Sequence, residues 1–213
     1  MSATDVVVID YGVGNLLSVR RGLEHCGANV ILTGNPSEIL AGRKVVLPGV
    51  GAFANAMHVL NEMQLPAVIR EVAARGTPLL GICLGMQLLL DESEEFGTTA
   101  GLGLIPGKVR AIPGIDTGGE ALKIPHIGWN SLHPADHVDW RGTLLSDIQP
   151  GEAVYFVHSF MAQPGAEHRI ADCIYGGHKV PAVVARDNVI GCQFHPEKSG
   201  DVGLRIMKRF LNS

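Results

Sequence analysis

Aromatic residues are scarce: Phe, Trp and Tyr make up 5% of the 213 residues, too few for a platform on which single-stranded bases stack. Charge is also thin, at 18% Asp, Glu, Lys and Arg. The net charge is −4 and no Lys/Arg block occurs, which argues against a nucleic-acid or general polyanion binder. The four cysteines, Cys26, Cys83, Cys173 and Cys192, are scattered without a CxxC pair. They read as reduced thiols of a cytoplasmic protein, not as a disulfide framework. No glycine loop of P-loop type is present. The longest apolar stretch, TPLLGICLGMQLLLDE (77–92), contains two glycines and Gln87. It falls short of the roughly 18 residues of a membrane span, so no membrane association is expected. The opening MSATDVVVID lacks a basic start and carries Asp5, so no targeting segment is expected. Without repeats, low-complexity tracts or linkers, residues 1–213 are expected to form one domain.

What is present is an alternation of strand and helix. DVVVID (5–10), ANVILT (28–33), KVVLP (44–48) and PLLGI (78–82) are short apolar runs of the kind buried in parallel sheets. Between them, a helix from about Asn15 repeats Leu16, Val19, Leu23 and Cys26 at helical spacing and stops at Gly27. Asn35 and Pro36 are N-cap and first-turn residues of a second helix. A further helix covers about 66–75 and ends at Gly76. The segment 91–125, rich in Gly and Pro, gives no clear element. Then AVYFVHSFMA (153–162), HRIADCIYGG, KVPAVVARDN and VIGCQFHPE read as strands separated by short turns. SGDVGLRIMKRFLNS closes the chain as an amphipathic helix with Val202, Ile206, Phe210 and Leu211 inward. The expected fold is α/β: a mostly parallel central sheet with helices on both faces and an antiparallel extension in the C-terminal half.

Within 77–92, Gly81-Ile82-Cys83-Leu84-Gly85 fits the nucleophile-elbow pattern G-x-Nuc-x-G. A strand that turns at once into a helix strains its middle residue. Side chains two positions away on either side would collide, hence the two glycines. The thiol is then held above the C-terminal edge of the sheet, where open α/β sheets bind ligands. A helix starting at the thiol favours thiolate. The Leu84 N–H can serve an oxyanion, and a second donor can come from the Pro48–Gly51 loop on the adjacent strand. The competing account is that Cys83 is a small buried hydrophobe, and Cys26, Cys173 and Cys192 are read that way.

A thiol nucleophile needs a base. Among nine histidines, His195 stands out at the end of an apolar strand, in GCQFHPEKS. Pro196 disfavours helical backbone for His195. In an extended chain Glu197 would share its side and could orient the imidazole, as in a triad. HPE could equally be a polar turn whose glutamate serves the last helix. Cys83, Cys192, His195 and Glu197 include zinc-ligand types, but their spacing matches no closed structural site, and no metal is expected.

GICLGMQ and the terminal His-Pro-Glu resemble the nucleophile and His-Glu motifs of the class I (triad) glutamine amidotransferases. With DYGVGNLLSV, LPGVGAF, KIPHIGWN, YFVHSF and GCQFHPEKS, spanning residues 10–199, the chain is similar to the glutaminase subunits of imidazole glycerol phosphate synthase in histidine biosynthesis. The resemblance implies hydrolysis of glutamine by Cys83, His195 and Glu197, with no cofactor. Ammonia would pass to a partner synthase (cyclase) subunit, a (β/α)8 barrel. It places Leu84, Val50 and Gly51 at the oxyanion hole, and Gln87, Glu95, His158 and Ser159 at the substrate. Asn15, Trp129 and Lys198 fall at the partner interface. Phe160 stands where the family pattern has Tyr, and the loop around PGIDTGGE (113–120) is longer than expected. An amidotransferase serving pyridoxal phosphate or anthranilate synthesis is disfavoured by KIPHIGWN and YFVHS. A non-catalytic, redox-sensing relative is disfavoured by the presence of both His195 and Glu197.

Overall fold

A computed structural model of the protein describes residues 4–136 and 138–213; the first three residues of the MSATDVVVID opening and His137 lie outside them. In chain order the first half runs β1 (Thr4–Ile9), α1 (Leu16–His25), β2 (Ala28–Thr33), α2 (Pro36–Ala41), β3 (Lys44–Gly49), α3 (Phe53–Glu62), α4 (Leu65–Ala74), β4 (Leu79–Cys83) and α5 (Leu84–Leu88). Short strands follow: β5 (Glu92–Ser93), β6 (Thr99–Ala100), β7 (Gly107–Ala111), β8 (His126–Ser131) and β9 (His133–Pro134). The chain ends with β10 (Ala153–His158), β11 (Phe160–Pro164), β12 (Arg169–Tyr175), β13 (His178–Arg186), β14 (Val189–Cys192) and α6 (Gly200–Leu211).

The main sheet has eight strands in the order β2-β1-β3-β4-β14-β13-β12-β9. From β2 to β14 neighbours are parallel; from β14 to β9 they are antiparallel. Alternate side chains of each strand serve opposite faces. Val6 and Val8 of β1 pack with Val19 and Leu23 of α1 and Ile206 and Phe210 of α6. Val7 and Ile9 pack with Phe53 and Leu60 of α3 and Ile69 and Val72 of α4. Both faces are therefore covered, which is why Val6–Ile9 of β1 and Val45–Leu47 of β3 are unbroken apolar runs. Gly27, at φ +93°, ends α1, and the Asn35 side chain accepts the Ser37 N–H (2.9 Å) at the start of α2. Asn15 holds the N-cap position of α1 without a side-chain cap bond.

Four expectations need correction. Helix α3 was not foreseen, because no capping side chain precedes it; its first N–H, of Phe53, is instead taken by the Glu95 carboxylate at 2.7 Å, from 42 residues along the chain. The apolar run after Cys83 is helical only to Leu88. The carbonyls of Leu88, Leu89 and Leu90 accept the N–H groups of residues 102–105 at 2.8–3.0 Å, so the helix is capped by a crossing segment instead of continuing. AVYFVHSFMA is two strands, not one. They separate at Ser159: β10 pairs with β8 in a two-stranded sheet, and β11 joins β7, β5 and β6. Finally, VIGCQF is not simply part of the antiparallel extension, because β14 lies parallel to β4 and brings the HPE turn beside the elbow.

Candidate active site

At the corner, Cys83 adopts φ 55° and ψ −111°, a strained conformation for a residue with a side chain. A Cβ at Gly85 would stand 1.8 Å from the Leu47 carbonyl oxygen, and one at Gly81 would stand 2.7 Å from that of Gly85. Both obstacles are backbone, so a larger residue would have to move strand β3 at Gly85 or helix α5 at Gly81. Gly49 pairs in register with Cys83, so the Val50–Gly51 loop leaves β3 alongside the thiol; Gly51 has φ +91°. The root of that loop is fixed by buried Tyr11, whose hydroxyl donates to the Pro48 carbonyl at 2.9 Å. Burial first, and Cys83 second, push the Tyr11 phenol up.

His195 is buried, and its backbone N–H donates to the Tyr155 carbonyl (2.9 Å). Buried Ser199 pins the same turn. Its hydroxyl donates to the His195 carbonyl (2.6 Å) and accepts the Tyr155 N–H (3.0 Å). Glu197 meets the imidazole as the spacing required, but through a 3₁₀ turn over Pro196–Lys198 instead of an extended chain. His195 Nδ1 donates to Glu197 Oε1 at 2.8 Å, which fixes the ring's tautomer. His195 Nε2 is buried without a hydrogen-bond partner among the described residues. Burial lowers the imidazolium pKa, but Cys83 and Glu197 beside it outweigh burial and hold it at about 9.

Cys83 and His195 line a cavity of about 510 Å³ together with Leu84, Val50, Gly51, Gln87, Glu95, His158, Ser159 and exposed Lys198. All the residues proposed from sequence for chemistry and substrate, apart from Glu197 behind the imidazole, thus meet at one opening. Two have further duties. Gln87 is buried, with its amide nitrogen donating to the Phe160 carbonyl (3.0 Å) and to Gln193 Oε1 (2.9 Å), so only its oxygen is left for a ligand. Glu95 caps α3 with Oε2. The carbonyl of Phe160 makes the contacts there, so a missing hydroxyl at that ring leaves them intact. Asn15 and Trp129 lie outside the cavity. Trp129 is 58% exposed on β8, its indole within 3.9 Å of a Cβ built on Gly200, two residues from Lys198.

Sequence reasoning passed over Tyr11, Ser199, Gln193 and His126. Gln193 carried a usable signal: it precedes His195 by two in an apolar strand, so both face one side. The other cysteines behave as core. Cys173 and Cys192 are buried, and burial raises both thiols. Among the described residues, no group of three or more His, Cys, Asp or Glu side chains could hold a metal ion, and no helix is long and apolar enough to cross a membrane.

Residues 7–212 match the family described as Glutamine amidotransferase class-I. Over 210 residues the chain is 49% identical to Imidazole glycerol phosphate synthase subunit HisH 1 of Legionella pneumophila strain Lens, covering 98% of this chain and 99% of that one. It is 50% identical over 208 residues to subunit HisH of Geobacillus thermodenitrificans, covering 98% and 95%. A solved crystal structure of a glutamine amidotransferase from Thermotoga maritima superposes with a TM-score of 0.63 at 16% identity, covering 100% of this chain and 82% of that one, and so shares the fold. The elbow, the His-Pro-Glu turn and this similarity along nearly the whole chain make the protein a member of the class-I glutamine amidotransferase family, within its HisH branch.

Proposed function

We propose that Cys83, His195 and Glu197 hydrolyse the side-chain amide of glutamine to glutamate and ammonia. The observation that carries this is the buried His195–Glu197 pair, with Nδ1 committed at 2.8 Å and Nε2 left free beside an elbow thiol on one cavity. The Cys83 thiolate adds to the amide carbon. The oxyanion is met by the Leu84 N–H and by a peptide of the Val50–Gly51 loop. His195 Nε2 gives its proton to the leaving ammonia, and the carbon–nitrogen bond breaks to leave a thioester. His195 then takes a proton from water, which attacks the thioester and releases glutamate and the thiol. Glu197 keeps the imidazole in the required tautomer and stabilises its cation. Gln87 Oε1, Glu95 and Ser159 hold the substrate, and His158 borders its pocket.

Relatives named as subunits of imidazole glycerol phosphate synthase imply a partner chain. We assign that partner as the synthase (cyclase) subunit, a (β/α)8 barrel that receives the ammonia in the cytoplasm and makes imidazole glycerol phosphate and an aminoimidazole carboxamide ribonucleotide. The face around Asn15, Trp129 and Lys198 is its docking surface. Exposed Ile127 shares the strand face of Trp129, so β8 offers an apolar strip beside a cation. The test is a glutaminase assay with and without the synthase subunit loaded with its nucleotide ligand. The isolated chain should be slow and the loaded complex fast. Full activity of the chain alone would defeat the coupling, and no hydrolysis in either case would defeat the assignment. In the same system Trp129→Ala should weaken partner binding by about tenfold or more while the glutamine KM holds; unchanged affinity would remove β8 from the interface.

A further inference from the structure

A chain of polar groups lies behind the cavity, and two of its members, His126 and Gln193, have no part in the mechanism above. It links Asn130 on β8 to Cys83, and each link admits one direction only. The Phe160 carbonyl can only accept, so His158 Nδ1, 2.8 Å away, carries a proton. His158 and His126 are buried, and burial lowers both to about 4, so each is neutral at physiological pH and holds one N–H. His158 Nε2 is therefore an acceptor, and His126 Nδ1, 3.0 Å away, must donate to it. His126 Nε2 then takes the Asn130 amide N–H at 3.5 Å. From the other side Gln87 Nε2 donates to the same Phe160 carbonyl and to Gln193 Oε1. With its oxygen so engaged, Gln193 can turn only Nε2 toward Cys83 Sγ, at 3.8 Å.

Resting on the assignment of Cys83 as nucleophile, we infer that Gln193 is a further catalytic residue, its amide N–H donating to the Cys83 sulfur in the polarity that the Phe160 carbonyl and Gln87 impose, and that His126 is a positioning residue, holding His158 and through it the place of the Phe160 carbonyl on which Gln87 and Gln193 are aligned. An N–H aimed at sulfur steadies negative charge on it. Reversing the Gln193 amide would put an oxygen there instead, and the Gln87 contact forbids the reversal.

The test is the rate of iodoacetamide alkylation of Cys83, followed on its own peptide, near neutral pH relative to about pH 10, so that differences in access cancel. The other titratable groups around the sulfur, His195, Tyr11 and Cys192, are untouched by the substitutions. Gln193→Glu keeps the shape and the acceptor for Gln87 but sets a carboxylate where the N–H was, and the ratio should fall by about tenfold or more; Gln193→Met has neither N–H nor charge and should still lower it by about three- to tenfold. His126 lies stacked between Phe156 and Tyr175, at 5.0 and 4.0 Å between ring centroids. His126→Phe keeps that stack but cannot donate, and should lower the ratio by about threefold. His126→Asn loses the ring but restores a donor near Nδ1, and should stay near wild type. A packing role would reverse this order. An unmoved ratio in Gln193→Met and His126→Phe, or a larger fall in His126→Asn than in His126→Phe, overturns the inference. A fall confined to the two Gln193 variants overturns the part assigned to His126. If neither Gln193 variant folds by circular dichroism, the two His126 variants decide. Alkylation needs no glutamine. Unmoved ratios beside an inactive Cys83→Ala sink the relay alone, whereas a hydrolytically competent Cys83→Ala sinks the assignment of the nucleophile.

Discussion

Cys83→Ala should fold like the wild type and lose glutamine hydrolysis by about 10⁴-fold or more, because the attacking atom is gone while the pocket remains. The fold is expected to hold because the thiol's bonds to the Val157 carbonyl, at 3.9 Å, and from Gln193, at 3.8 Å, are long, and neither is a structural tie. Removing the sulfur also removes one of the two groups that raise the His195 imidazolium, so the variant's imidazole should titrate lower. The check is a coupled glutamate assay on the synthase complex, with thermal melts as the control for folding. Turnover within tenfold of wild type would return Cys83 to the status of a core thiol.

Gly85→Ala should have the second large effect, of a different kind. Its Cβ would lie 1.8 Å from the Leu47 carbonyl oxygen, and the Pro48 carbonyl carbon is 3.3 Å away. Strands β3 and β4 would have to part at the elbow, at a cost on the order of 3 kcal/mol or more. Since β3 also carries the Val50–Gly51 loop, activity should fall further than the loss of folded protein explains. A melting temperature and a specific activity both near wild type would show that the glycine is not required by the corner. Gly27→Ala makes a useful contrast. No atom lies within 4 Å of its Cβ, and only the φ of +93° opposes it, so its effect should be confined to a modest loss of stability.

How much of this was legible in the sequence depends on how local each cause is. The boundaries of β2, the Asn35 cap and the Gly27 stop were readable because they rest on neighbouring residues. The elbow was readable for the same reason, since its constraint lies within five residues. Helix α3 was not, because its cap, Glu95, is distant in sequence. The early end of α5 was not, because residues 102–105 supply the hydrogen bonds that stop it. The break at Ser159 follows from the pairing of β10 and β11 with different strands, a choice that apolar alternation does not encode. At the site, motif spacing located Cys83, His195 and Glu197. The groups behind them, Tyr11, Ser199, Gln193 and His126, act through contacts made only on folding.

The central claim is that one thiol of four, Cys83, attacks the amide carbon of glutamine. It is tested most directly with a glutamine analogue that carries an electrophilic diazoketone in place of the carboxamide, followed by intact mass and peptide mapping of the synthase complex. The predicted result is a single adduct, on Cys83, blocked by excess glutamine and greatly slowed in His195→Asn. An adduct on Cys26, Cys173 or Cys192, or labelling of Cys83 that glutamine does not block, would contradict it.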